Sequence, residues 1–143
     1  MTRLERNSPA VLVVDDEPAI LSLLTDVLTR HGLEVLTANR GDRAVEVFSQ
    51  HQDRIGLVLL DVEMFPWDGP QTLRELQQIS PHIRVTFMSG SVDDVEALFK
   101  LGALRVFPKP FPSVVALANT LRELVKKALA SVPDESELSL QPS

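Results

Sequence analysis

Four short apolar runs punctuate the chain: Val11 to Val14, Leu57 to Leu60, Ile83 to Met88 and Leu104 to Phe107. Runs this short, with few polar interruptions, predict strands buried on both faces. A weaker run, Leu33 to Ala38, alternates and predicts a fifth strand. Helical spacing fills the gaps. Ile20, Leu23, Leu24, Val27 and Leu28 recur at i, i+3, i+4, i+7 and i+8, with Pro18 suited to the first turn and Gly32 to the stop. Ala44, Val45 and Phe48 mark a second helix. Leu73, Leu76 and Ile79 mark a third, closed by Pro81. A fourth runs from Val92 to Lys100 and is closed by Gly102. Val114, Leu117, Leu121, Leu124 and Ala128 mark the last, begun by Pro112 and Ser113.

Five βα units in succession imply an α/β fold, a parallel sheet with helices on both faces. In such sheets ligands bind beyond the carboxyl ends of the strands, where the strand order reverses. Residues 1–9 and 131–143 lack this patterning and read as tails, the second as a flexible one. Residues 10–130 read as one domain, a size that 143 residues support.

Composition narrows the chemistry. With 44% apolar residues the chain can bury a core. A formal net charge of -6 and no basic patch argue against direct contact with nucleic acid or with an anionic membrane. There is no cysteine, so disulfides and thiolate metal sites are excluded. No apolar run approaches the roughly 18 residues of a membrane span. The start lacks a signal-peptide core, and a cytoplasmic location is expected. The three histidines, His31, His51 and His82, lack ligand spacing and read as surface residues. No glycine-rich phosphate loop is present, which disfavours a nucleotide site.

The predicted strand ends carry the reactive groups. Asp15-Asp16-Glu17 follows the first strand, Asp61 ends the third, Ser89 ends the fourth, and Lys109-Pro110 follows the fifth. Singly, each has an ordinary explanation as a cap, loop or turn. Together they suit one site. Asp15, Asp16 and Asp61 would repel one another if gathered, and a hard cation such as Mg²⁺ removes that conflict. Lys109 adds a fixed positive charge and Ser89 a hydroxyl donor. Such a set can accept a phosphoryl group on a carboxylate.

The stretches Val-Leu-Val-Val-Asp-Asp-Glu-Pro (11–18), Leu-Val-Leu-Leu-Asp-Val-Glu-Met (57–64), Trp-Asp-Gly (67–69), Met-Ser-Gly (88–90) and Lys-Pro-Phe (109–111) resemble the response-regulator receiver domain (CheY-like) of two-component signal transduction. The resemblance covers about Ala10 to Ala130. It implies a flavodoxin-like, doubly wound (βα)5 fold with five parallel strands in the order 2-1-3-4-5. It implies Asp61 as phosphoacceptor, and Mg²⁺ or Mn²⁺ held by Asp15, Asp16, Asp61 and the backbone carbonyl of Glu63. Of these, Asp16 binds directly and Asp15 mainly through water. Ser89 becomes the switch hydroxyl, Lys109 the phosphoryl contact, and the Lys109–Pro110 bond is expected cis. The donor is a histidine kinase or a histidine phosphotransfer protein. A downstream protein target and a phosphorylation-dependent dimer are further expected partners. The domain is not an enzyme beyond self-phosphorylation and slow autodephosphorylation.

Two positions depart from the family pattern. Phe65 stands where proline is usual, with Pro66 next. Val106 stands where an aromatic is usual, and neighbouring Phe107 should face the other side of the strand. Switching is therefore expected to reorder the loop at Ser89 without a swinging ring. The Glu63 side chain adds negative charge near the phosphoryl position, and the sequence leaves open whether it repels phosphate or orients an attacking water. A receiver-like binding module that works without phosphorylation is an alternative. An Mg²⁺-dependent aspartyl-phosphate phosphatase is another, disfavoured because Asp15 and Asp16 are adjacent and not two residues apart.

Overall fold

The computed structural model describes residues 9–91, 93 and 95–130, with the side chains of 129 and 130 left aside. The residues of the two predicted tails, Pro9 excepted, lie outside that range. Among the described residues five strands alternate with five helices: β1 Ala10–Val14, α1 Pro18–Arg30, β2 Glu34–Ala38, α2 Gly41–Gln50, β3 Ile55–Asp61, α3 Gly69–Ile79, β4 Val85–Ser89, α4 Val95–Lys100, β5 Val106–Pro108 and α5 Val114–Ala130. All strand pairs are parallel, in the order β2-β1-β3-β4-β5. The order reverses between β1 and β3, so the crevice the fold provides opens at Asp15 and Asp61. Among the described residues no helix is long and apolar enough to cross a membrane.

Strand alternation divides the core into two halves. Leu12, Val14, Val58, Leu60 and Phe87 face Ala44, Phe48, Leu73, Leu76 and Leu98. Val11, Val13, Leu57, Leu59 and Met88 face Leu24, Leu28, Leu117 and Leu121. Every β1 side chain is buried, which is why that run reads as uninterrupted apolar sequence. Each fully buried leucine contributes about 1.5–3 kcal/mol of transfer free energy, so the central strands are held in register by both layers.

Helix ends follow local chemistry. Pro18 opens α1. Gly32 (φ 84°) closes it in the left-handed region, with the Leu33 N–H reaching back 3.0 Å to the Leu28 carbonyl. His31 is half-buried, not a plain surface residue, and its ring nitrogen lies 2.8 Å from the Val27 carbonyl. Gly102 (φ 110°) stops α4 in the same way.

Three boundaries differ from expectation. β4 begins at Val85 and not Ile83, because the Ile83 N–H turns back to the Ser80 carbonyl at 3.1 Å. β5 covers only Val106–Pro108, although pairing is foreshadowed where the Leu104 N–H meets the Val85 carbonyl at 2.8 Å. α4 begins at Val95. Its expected start, Val92, lies outside the described residues.

Candidate functional site: an acidic pocket at the strand ends

β1 delivers Asp15 directly after its last residue. The Asp15 N–H bonds to the Ala38 carbonyl at 3.2 Å, extending the ladder by one step. Its buried carboxylate accepts from the Glu17 N–H at 2.9 Å, which fixes the turn into α1. β3 carries Asp61 as its final residue, opposite Met88, and the Asp61 carboxylate accepts from the Glu63 N–H at 3.3 Å. Lys109 follows β5, where its N–H bonds to the Ser89 carbonyl at 2.9 Å. Its bond to Pro110 is cis, and so is Phe65–Pro66.

These anchors bring the charged ends together. Lys109 Nζ lies 2.8 Å from Asp15 Oδ2, 3.3 Å from Asp61 Oδ2 and 3.5 Å from Glu17 Oε1. Carboxylate oxygens of Asp15, Asp16 and Asp61 lie within 4.8 Å of one another. Asp15 and Asp61 are buried, while Asp16 is exposed at the mouth. Burial and then the charge of Asp15 push the Asp61 carboxyl up to about 7, against the lowering influence of Lys109 and the Glu63 amide. Burial also opposes the Lys109 ammonium. The Asp15 hydrogen bond and the charges of Asp61 and Asp15 outweigh it and hold that pKa above the ordinary lysine value.

Three carboxylates around one ammonium leave negative charge in excess. The donors are all hard oxygens, drawn from two adjacent strand ends, with neither histidine nor cysteine among them. That chemistry fits a small divalent cation of the Mg²⁺ type.

Ser89 ends β4 and is buried. Its hydroxyl meets a carboxylate oxygen of Glu63 at 2.9 Å. A cleft of about 770 Å³ joins Asp61, Glu63, Gly90 and Lys109 to an apolar wall of Ile20, Leu23, Phe111 and Val114.

A family model for the response regulator receiver domain matches residues 11–126. The chain belongs to the response regulator receiver family. Receiver domains are modules of two-component systems, and the acidic pocket is this one's strand-end site. Sporulation initiation phosphotransferase F of Bacillus subtilis (strain 168) is 34% identical over 121 residues, covering 83% of this chain and 92% of that one. Sensor kinase CckA of Brucella abortus is 36% identical over 84% of this chain, a match that spans 13% of the kinase. A solved receiver domain from Clostridium thermocellum superposes with a TM-score of 0.79 at 28% identity, covering 87% of this chain and 99% of that one. TrrA of Thermotoga maritima, solved in complex with Mg²⁺-BeF, gives 0.72 at 27% identity, covering 81% and 98%.

The departures from the family pattern take physical form. Phe65 is 84% exposed, so the loop after Asp61 turns an aromatic ring to solvent. Val106 packs with the α2–α4 half of the core and Phe107 with the α1–α5 half, as strand alternation requires. Trp67 lies against the start of α2, where a Cβ on Gly41 would come 3.0 Å from the Trp67 Cβ.

One contributor was missed by sequence reasoning. A Cβ on Gly69 would come 2.5 Å from the Asp61 carbonyl oxygen and 2.9 Å from the Val62 Cα. The absent side chain lets α3 start hard against the strand end that presents Asp61. The Asp-Gly pair at 68–69 was the available signal.

Proposed function

We propose that this domain is a phosphoacceptor switch in a two-component phosphorelay. The observation that carries the reading is Lys109 Nζ bridging Asp15 and Asp61 at 2.8 and 3.3 Å, with the Asp16 carboxylate beside them. A histidine kinase or a histidine phosphotransfer protein donates. The Asp61 carboxylate forms the new O–P bond as the P–N bond to the donor imidazole breaks, and the leaving nitrogen takes its proton from solvent. Lys109 holds a phosphoryl oxygen, and the Ser89 hydroxyl donates to another. Asp15, Asp16, Asp61 and the Glu63 carbonyl would hold the cation, Mg²⁺ or Mn²⁺. When bound, it neutralises the carboxylates and the incoming phosphoryl charge.

The domain spans 10–130, with tails on either side, and works in the cytoplasm without turning over a separate substrate. Its output is a changed surface around α4, β5 and α5, read by a protein target or by a second copy. The phosphoryl group need only bind one of two conformations better by a few kcal/mol. The binding-module alternative draws on Val106 in place of an aromatic, and it predicts no covalent change.

Phosphoramidate, which carries a P–N bond, tests the chemistry. It should phosphorylate the parent in Mg²⁺. Transfer should stop with EDTA and fall by about 100-fold or more in Lys109→Ala, the scale of losing one preorganised charge contact. Undiminished transfer in both cases contradicts the roles assigned.

A further inference from the structure

The switch hydroxyl is already occupied. Glu63 Oε1 accepts from the Ser89 hydroxyl at 2.9 Å, and Glu63 Oε2 faces the Gly90 N–H at 3.3 Å. One carboxylate thus spans the side-chain and main-chain donors at the end of β4, with one oxygen on each. Glu63 and Ser89 stand 26 positions apart in the chain, so this contact ties the β3 loop to the β4 loop.

Ser89 has one hydroxyl proton and two acceptors in reach, Glu63 Oε1 and the Ser91 carbonyl, both at 2.9 Å. It can donate to only one at a time. The charged acceptor makes the stronger bond, so the carboxylate takes the proton. The Ser91 N–H meanwhile donates to Ser89 Oγ at 3.1 Å, which holds the hydroxyl in place for donation.

We propose that the Glu63 side chain is an internal stand-in for the phosphoryl group, clamping the Ser89 hydroxyl and the Gly90 N–H in the resting state and competing with the phosphoryl oxygens for them. This rests on the phosphoacceptor reading given above. A phosphoryl group on Asp61 brings anionic oxygens to the same donors. Two anions cannot share one hydroxyl proton, so the clamp must open before Ser89 can turn. Glu63 lines the same cleft as Asp61, and its own N–H is bonded to the Asp61 carboxylate. Its main chain is held by that bond and the residue is exposed, so the side chain can leave Ser89 and Gly90 for solvent. The clamp sets a threshold: it favours the resting arrangement of the 89–91 loop until a stronger anion displaces it. A glutamine here would keep an acceptor and lose the charge, and an alanine would leave both donors to solvent.

Beryllofluoride in Mg²⁺, which mimics a phosphoryl group on a carboxylate, is the probe, followed by amide NMR of the parent, Glu63→Ala, Glu63→Gln, Ser89→Ala and the Glu63→Ala/Ser89→Ala double variant. In the free protein, Glu63→Ala should move the Gly90 amide proton upfield, as loss of a carboxylate acceptor requires. Half-saturation by beryllofluoride should then fall on the order of fivefold to tenfold in Glu63→Ala, the scale of one charge-assisted bond, and by less in Glu63→Gln. In the Ser89→Ala background most of that gain should vanish. A Gly90 amide that does not move, or a half-saturation equal to the parent's, overturns the clamp. So does a gain of the same size without Ser89, which would reduce Glu63 to plain charge repulsion. A parent that does not respond to beryllofluoride at all overturns the phosphoacceptor reading itself, and the clamp with it.

Discussion

Asp61 is buried and faces a second carboxylate, while the phosphoryl transfer proposed for it needs the anion. Its pH behaviour follows from that conflict. Unfolded, the carboxyl titrates near 3.8; folded and without a cation, near 7. The folded state holds this proton more tightly, so the contribution of Asp61 to stability is fully present below about pH 4 and is lost as pH rises through about 7. Urea midpoints taken in chelator from pH 4 to 8 should fall in the parent relative to Asp61→Asn, which cannot ionise and should be the more stable protein at pH 8. Equal pH profiles for the two proteins would contradict the assigned burial and charge. Some of the site was legible at this scale because side-chain type is enough: the acids, the hydroxyl and the lysine sit where strand ends were expected. The grip of Glu63 on Ser89 was not, because residues 26 apart in sequence reveal no hydrogen bond until the loops are folded.

The start of α3 links helix formation to the placement of Asp61. The Asp68 carboxylate accepts from the Gln71 N–H at 2.9 Å and caps the helix, while Gly69 lets the helix approach β3. Asp68→Ala should cost about 1 kcal/mol of stability, the usual worth of a cap. Leu73→Ala, in the fully buried stripe of the same helix, should cost about 2–5 kcal/mol. Gly69→Ala should cost about 1–3 kcal/mol and displace the Asp61 backbone, so denaturant curves should show all three losses and only the glycine variant should also change the Asp61 region in amide spectra. At β5 the strand period alone predicts which face each side chain takes. Phe107 packs with the α1–α5 core and Val106 with the opposite one. The Phe107 ring should therefore keep its packing against the α1–α5 core in both free and beryllofluoride-bound protein. Ring contacts that differ between the two would contradict a switch without a swinging aromatic. The ends of β4 and β5 were harder to read, since Ile83 and Leu104 are as apolar as strand residues and only the Ser80 and Val85 carbonyls show where they bond.

At the scale of the whole molecule, the alternation of runs and stripes gave the five βα units, and the topology did the rest. Placing β1 beside β3 puts Asp15, Asp16 and Asp61 within one pocket, and adding β4 and β5 on the same side brings Ser89 and Lys109 toward it. No spacing along the chain encodes that convergence. It emerges from a parallel sheet whose strands all end at the same edge. The same convergence makes the pocket a net anionic site, so Mg²⁺ should raise the melting temperature of the parent in a concentration-dependent way, and much less so in Asp16→Ala. A cation that stabilises both proteins equally would place its site elsewhere. The most direct test of the whole account is intact mass after incubation with acetyl phosphate and Mg²⁺. The parent should gain one phosphoryl group, lost on hydroxylamine treatment as an acyl phosphate is, and Asp61→Ala should gain none. An unmodified parent, or an Asp61→Ala protein that takes up the same mass, would contradict it.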